Sequence, residues 1–383
     1  MLTRNIDLKN FKIKKNIQKI KENLKKILQE NNEVIKSLRR TYKNSFNRKF
    51  VSKYNKGLHY RIIGMGGSTL GAQTIYNFLG KKIKKKFSFV DNLQAITKIN
   101  NDKKITNLVI SKSGNTIETI INTNLLLKKK HKNIFITENK KSYLYLLGQK
   151  LKAEIIDHNN FIGGRYSVLS EVGMLPAELM GLNSNKFKNL NVLIKNKKFI
   201  NSLISNVSST LYFIKNKKYN SVIINYDEKS QNLFNWYQQL IAESLGKNKK
   251  GILPIISNMP KDNHSVMQLY LDGFKNNFYT FFFVNESNST KINTNFDNDM
   301  SYLKNKNLNQ IKLSQKLASE NVFIKKNIPF RSFTILKRDE KTLGELFSFF
   351  ILETILIGRM LKLNPYDQPA VELIKNETKK ILV

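Results

Sequence analysis

Cysteine is absent from all 383 residues, so neither a disulfide framework nor a thiolate metal site can form. That absence fits a reducing compartment, and a cytoplasmic protein is expected. Histidine is scarce, with 4 in the chain, which argues against a histidine-rich metal centre. Acids are outnumbered: 28 Asp and Glu stand against 66 Lys and Arg, a formal net charge of +38. Residues 1–30 lack the apolar core and small-residue cleavage site of a secretory signal. Nor is any apolar run long enough to span a bilayer. The most apolar, Leu346 to Leu361, carries Glu353 and Arg359.

What is present is a chain of 44.5 kDa with a hydrophobic fraction of 40%, enough for a large core and two domains. The positive charge would suit a nucleic acid or an anionic membrane. However, the lysines run along the whole length among Asn and Ile, and no aromatic–arginine interleaving marks a strand binder. A generally basic surface is expected, with no nucleic-acid and no membrane partner. Near the start Phe11, Ile13, Ile17, Ile20, Leu24, Ile27 and Leu28 recur at helical spacing, and Glu22 and Glu30 on the polar face point to an outer helix packed on the core.

Leu108-Val109-Ile110 reads as a buried parallel strand, followed by Ser111-Lys112-Ser113-Gly114-Asn115-Thr116 and a helix with apolar Ile117, Ile120, Ile121 and Leu125. A strand, a turn of small donors and a helix start together make an anion cradle. It lacks the spaced glycines and Gly-Lys-Ser/Thr of a nucleotide loop, so a phosphate monoester is the expected occupant. The alternative is a plain N-capped helix. A second strand–turn–helix unit runs through His59–Ile63 and Gly64-Met65-Gly66-Gly67-Ser68, with Ser68 as a possible cap. Two such units imply a parallel sheet that binds its ligand at the carboxyl edge.

Further along, Gly163-Gly164-Arg165 offers a cationic fork in a loop. The spacing predicts a helix over 231–245 with Gln239 and Glu243 on one face, and His264 falls at a loop-to-helix boundary. The polar stretch 286–312 reads as a surface excursion. A long helix over 341–361 is interrupted by Asn364-Pro365-Tyr366-Asp367-Gln368-Pro369, and Gln368 and Lys375 stand two turns apart on one face if both belong to a last helix.

Six blocks carry a family resemblance: GMGGSTLG at 64–71, SKSGNTIET at 111–119, GGRYS at 163–167, QLIAESLGK at 239–247, DNHSVMQLYLDG at 262–273 and NPYDQPAVELIK at 364–375. In order and separation they resemble the glucose-6-phosphate isomerase family. The resemblance implies an α/β fold of two sugar-isomerase (SIS) type α-β-α sandwich domains with parallel sheets, plus a C-terminal helical arm. It divides the chain into an N-terminal helical segment, 1–55, a first SIS domain, 56–190, a second, 191–340, and C-terminal helices, 341–383. It also implies interconversion of glucose 6-phosphate and fructose 6-phosphate through a cis-enediol, with no cofactor and no metal. Ser111, Lys112, Ser113 and Thr116 resemble the phosphate holders, and Gly67, Ser68, Gln239 and Gln368 other substrate contacts. Glu243 resembles the base, Arg165 the cation beside the enediol, and His264 and Lys375 the ring-opening pair. His264 would be contributed across a homodimer interface. A sugar-phosphate sensor on the same fold is the alternative, and it would need the cradle but not the four catalytic groups.

Overall fold

The computed structural model describes residues 1–383 apart from 14, 94–104, 129–130, 287–288 and 293–297. Among the described residues ten strands form two sheets. In chain order they are β1 (Ile6–Lys9), β2 (His59–Gly64), β3 (Lys86–Val90), β4 (Ile105–Ile110), β5 (Lys132–Thr137), β6 (Glu154–Asp157), β7 (Asn220–Asn225), β8 (Leu253–Asn258), β9 (Asn277–Val284) and β10 (Phe330–Ile335). The first sheet has the order β3-β2-β4-β5-β6 and is parallel throughout. The second has the order β1-β10-β9-β7-β8 and is parallel except for β1. Strands buried on both faces read as continuous apolar runs, and β4 and β9 are buried at every position.

β1 corrects the reading of the N-terminal segment as purely helical. Ile6 lies opposite Ile335, antiparallel, and Ile6 and Leu8 are buried while Asp7 and Lys9 face out. Four alternating residues are too few to stand out among lysines, so only the waiting edge of β10 reveals them. Phe11 and Ile13 precede the helix Ile17–Gln29, whose buried residues are Ile20, Leu24 and Ile27.

The helix Glu340–Met360 explains the most apolar stretch of the chain. Every residue from Thr342 to Gly358 is buried, because this helix sits inside the protein rather than on it. One contiguous core joins Ile62 and Leu108 of the first sheet, Ile223 and Phe282 of the second, and Leu346 to Ile357 of this helix. Its Glu353 grips Arg331 of β10 within that core. Removing either partner alone strands a buried charge, at a cost of about 3–5 kcal/mol. Among the described residues no helix is long and apolar enough to cross a membrane.

The helix Ile117–Leu126 covers only part of its apolar stripe. Its buried residues are Thr119, Asn122, Thr123 and Leu126, whereas Ile121 is 39% and Leu125 52% exposed. Leu126 and, in part, Ile120 pack on Ile63, Val109 and Phe135 of the sheet, while Asn122 donates to the Asn92 carbonyl at 3.1 Å. Within 286–312, residues 287–288 and 293–297 lie outside the described residues. The helix Leu308–Lys325 starts inside this stretch, because Asn307 and Gln310 form a reciprocal capping box at 2.9 Å each way.

Glu286, just beyond β9, is an ionic hub between the two halves of the chain. It takes Arg338 Nε at 3.0 Å, Lys229 Nζ at 3.4 Å and the ammonium of Lys81, while Arg338 also holds Asp227 at 2.7 Å. Burial would raise its pKa, but the Lys81 hydrogen bond and the charges of Arg338, Lys229 and Lys81 outweigh this and bring it from 4.5 to about 2. A depressed carboxyl stabilises the fold fully above the unfolded value of 4.5 and loses that contribution as pH falls through about 2. A Glu286→Gln variant should therefore unfold at lower denaturant than wild type at pH 7, and the gap should close towards pH 2. A gap that stays constant in urea titrations across that range would contradict the hub.

Candidate active site

The carboxyl edge of the first sheet builds one side of the site. β4 ends at Ile110 and the chain turns through Ser111–Thr116 into the helix Ile117–Leu126. Ser111 Oγ lies 3.0 Å from Thr116 Oγ1 and accepts the Gly114 N–H at 3.2 Å, and Ser113 Oγ accepts the Asn115 N–H at 3.2 Å. Gly114 has φ 66°, and a Cβ there would come within 2.0 Å of Ser142 Oγ, so the turn closes only with glycine. Thr116 stands at the helix N-cap, yet its hydroxyl makes no capping bond and stays with Ser111. The helix N-terminus thus faces a cluster of hydroxyls, with its own N–H groups and dipole favouring an anion. Lys112 is half-buried with its ammonium 3.8 Å from Glu138, and burial pushes its pKa down.

Beside this cradle lies the turn after β2, because Gly64 pairs with Ile110 in register. Gly66 has φ 52° and occupies the N-cap position of the helix Gly67–Phe78, so Ser68 sits in the first turn and is not the cap. A Cβ on Gly66 would meet Gln239 Nε2 at 2.7 Å, and one on Gly67 would meet the Gly164 carbonyl carbon at 2.1 Å. These glycines let the first sheet's edge touch both Arg165 and the helix Gln231–Leu245.

Arg165 is the centre of what converges there. It is 1% exposed and donates to Ser244 Oγ at 2.8 Å, Glu243 Oε2 at 3.0 Å, Gln368 Oε1 at 2.7 Å, and the carbonyls of Pro365 and Asp367 at 2.8 and 3.0 Å. The other carboxylate oxygen of Glu243 accepts from Gln239 Nε2 at 2.8 Å, the four-residue spacing placing both on one face of the helix. Gln239 Oε1 is buried and has no hydrogen-bond partner, an acceptor waiting for a donor. A carboxylate held by an amide and a fixed cation, beside a hydroxyl-lined anion cradle, can move a proton on a substrate anchored by its phosphate.

Gly67, Ser68, Ser111, Lys112, Ser113, Thr116, Arg165, Gln239, Glu243 and Gln368 therefore border one region. Two predicted residues do not join them within the chain. Gln368 stands at the N-cap position, outside the helix Pro369–Leu382 and without a side-chain capping bond, so the condition for sharing a helical face with Lys375 is not met. No residue of that helix is buried, and Lys375 Nζ pairs with Glu372 at 2.6 Å. The chain turns out at Pro369, and among the described residues nothing buries the apolar side of this helix. His264 is exposed and follows the carboxyl end of β8, with no ring partner among the described residues. Glu243 lies at the end of the helix that leads back to the amino end of β8, so the strand's length, roughly 17 Å, stands between them.

Sequence reading missed the residues that hold Arg165 in place. Ser244 Oγ accepts from it and lies 2.8 Å from Tyr166 OH, which in turn donates to the Pro365 carbonyl at 2.9 Å. Trp236 Nε1 donates to the Arg165 carbonyl at 3.0 Å. Ser244 was visible in principle as a hydroxyl on the stripe Leu233, Tyr237, Leu240, all buried. Pro365 acts through its backbone, which leaves no trace in side-chain chemistry.

The chain is similar in sequence and in fold to known proteins. The family model for phosphoglucose isomerase matches residues 12–383. A glucose-6-phosphate isomerase of Methanocaldococcus jannaschii is 32% identical over 358 residues, covering 84% of this chain and 82% of that protein. A solved hypothetical protein from Thermus thermophilus superposes with TM-score 0.83 at 20% identity, covering 96% of this chain and 94% of its own. A glucose-6-phosphate isomerase from Chlamydia trachomatis superposes with TM-score 0.72 at 19% identity, over 87% of this chain and 71% of its own.

Proposed function

The chain belongs to the phosphoglucose isomerase family and interconverts D-glucose 6-phosphate and D-fructose 6-phosphate, and we propose that Glu243 carries the proton between the two carbons. The observation that supports this role is the carboxylate itself, held at 2.8 Å by Gln239 and 3.0 Å by Arg165 beside the turn at Gly66-Gly67.

In the open-chain aldose Glu243 takes the proton from C2. The C–H electron pair becomes the C1=C2 double bond, and the carbonyl π pair moves onto O1. O1 then takes up a proton and O2 gives one up, and Glu243 returns its proton to C1, leaving the ketone at C2. The charge that develops on the enediol oxygens lies near Arg165, a fixed cation at working pH. Because the guanidinium is already ordered by Ser244, Pro365 and Asp367, no reorganisation is needed as charge forms. Ser111, Lys112, Ser113 and Thr116 hold the phosphate and supply binding energy remote from the reacting carbons. Gly67 and Ser68 line the sugar, Gln368 contacts it, and Gln239 Oε1 accepts one of its hydroxyls. Running the reaction in deuterium oxide tests the enediol: deuterium should enter at C2 of glucose 6-phosphate. Complete retention of the original hydrogen, together with full activity of Glu243→Gln, would mean a hydride shift and exclude Glu243 as base.

Ring opening is assigned to His264 with Lys375, and a homodimer brings His264 from the neighbouring copy, in keeping with its distance from Glu243 in its own chain. The 56–190 and 191–340 units then act as cradle and proton-transfer domains, with 1–55 and 341–383 completing them, in the cytoplasm. Mixing and refolding inactive Glu243→Gln with inactive His264→Ala should restore roughly a quarter of wild-type activity, since half the dimers then own one intact site. No recovery would place His264 in the site of its own chain.

A further inference from the structure

The second sheet has a face turned away from Glu243. Val222, Ile224, Tyr279 and Phe281 form a separate core there with Tyr270 and Phe323. At the amino end of this face, between the segments that lead into β7, β9 and β10, lies a cavity of about 420 Å³. It shares no residue with the isomerase site. Three lysines line it, Lys218, Lys275 and Lys326, against a single acid, Asp272. Among the described residues none of the three lysines forms an ion pair. Lys218 is half-buried, its ammonium tied to the Lys275 carbonyl, and burial together with the Lys275 charge pushes its pKa down. Three cations gathered at one concavity against one acid leave a net positive lining that suits an anion.

The rest of the lining narrows the class of anion. Phe274 stands 54% exposed on the rim, and Leu271, Ile328 and Pro329 add apolar wall. An inorganic phosphate or a sugar phosphate would leave this aromatic and aliphatic surface bare. The volume falls in the range of small-ligand cavities rather than of a track for a polymer. A flat heteroaromatic base with a phosphate chain satisfies both halves, stacking on the ring while the oxygens meet the ammonium groups. We propose that this cavity binds a nucleoside di- or triphosphate, the base against Phe274 and the phosphates held by Lys218, Lys275 and Lys326.

Calorimetric titration of the full chain with ATP, adenosine and inorganic tripolyphosphate tests this. ATP should bind saturably at one site per chain, weakening as salt rises, and more tightly than tripolyphosphate by about tenfold. Lys275→Ala and Phe274→Ala, both at exposed positions, should each weaken ATP about tenfold while leaving melting temperature and isomerase activity unchanged. Phe274→Ala should also erase the preference over tripolyphosphate. Ser111→Ala, which damages the sugar-phosphate cradle, should leave ATP binding intact. Absence of saturable ATP binding would overturn the proposal. So would equal affinity for tripolyphosphate, which would reduce the site to general electrostatics, or loss of ATP binding in Ser111→Ala, which would put the nucleotide in the cradle.

Discussion

Glu243→Gln lowers kcat roughly a thousandfold in both directions of the isomerisation, the scale set by losing a positioned general base. The amide cannot accept the C2 proton, but it preserves the shape of the carboxylate and most of its bonds. One of its ends must now present an N–H group, either to Arg165 Nη1 or to Gln239 Nε2, both of which are donors in the native site. The second conflict has a simple release. Gln239 Oε1 has no partner, so rotating that amide lets it accept from the new N–H group while the new oxygen stays on Arg165. Folding should therefore survive with an unchanged melting temperature, and KM should rise only a few-fold, since the rotated amide meets the sugar hydroxyl with Nε2 in place of Oε1. A variant retaining more than a tenth of wild-type kcat would show that another group moves the proton.

Gly67→Ala is the second change with a large expected effect, and it acts without touching any reacting group. The added Cβ would lie 2.1 Å from the Gly164 carbonyl carbon and 2.6 Å from the Arg165 amide nitrogen. Both obstacles are backbone, so no side-chain rotation relieves them and the Gly164–Arg165 segment must move as a piece. Overpacking of this kind costs about 1–3 kcal/mol. The larger consequence is for Arg165, whose guanidinium is fastened to Ser244, Glu243 and the 365–368 segment together. Shifting its backbone by about an ångström misplaces the cation and its carboxylate, and activity should fall on the order of a hundredfold. Gly80→Ala is the matched control, because a Cβ there meets nothing within 4 Å. If both variants keep wild-type kcat, the close approach of the two backbones has no part in positioning the site.

The helix Gln231–Leu245 shows how much of the site was legible. Its limits were readable from apolar spacing and the following Gly246, and the face shared by Gln239 and Glu243 follows from the helical repeat. The cradle was equally readable, since strand, hydroxyl turn and helix are consecutive. The helix Ile117–Leu126 shows the limit of the same method. Its apolar spacing would normally mark the buried stripe, yet Ile121 and Leu125 are exposed and Thr119, Asn122 and Thr123 are buried, a rotation that depends on how the helix packs on the sheet. Lys375 shows another limit. Seven residues from Gln368 is two turns along a helix only if both belong to it, and the break at Pro369 puts Gln368 outside.

Local order in this protein, then, was written in the sequence: where strands turn into helices, which turns need glycine, and which hydroxyls cluster at a helix start. These depend on steric and hydrogen-bonding preferences among residues a few positions apart. The tertiary structure alone decided that Ile6–Lys9 closes the second sheet, that Arg165 meets Glu243 and Gln368 across 78 and 203 positions, and that His264 and Lys375 stand away from them. Those contacts come from packing two sheets on one buried helix, and the energy of burying distant surfaces together has no local period from which it can be read.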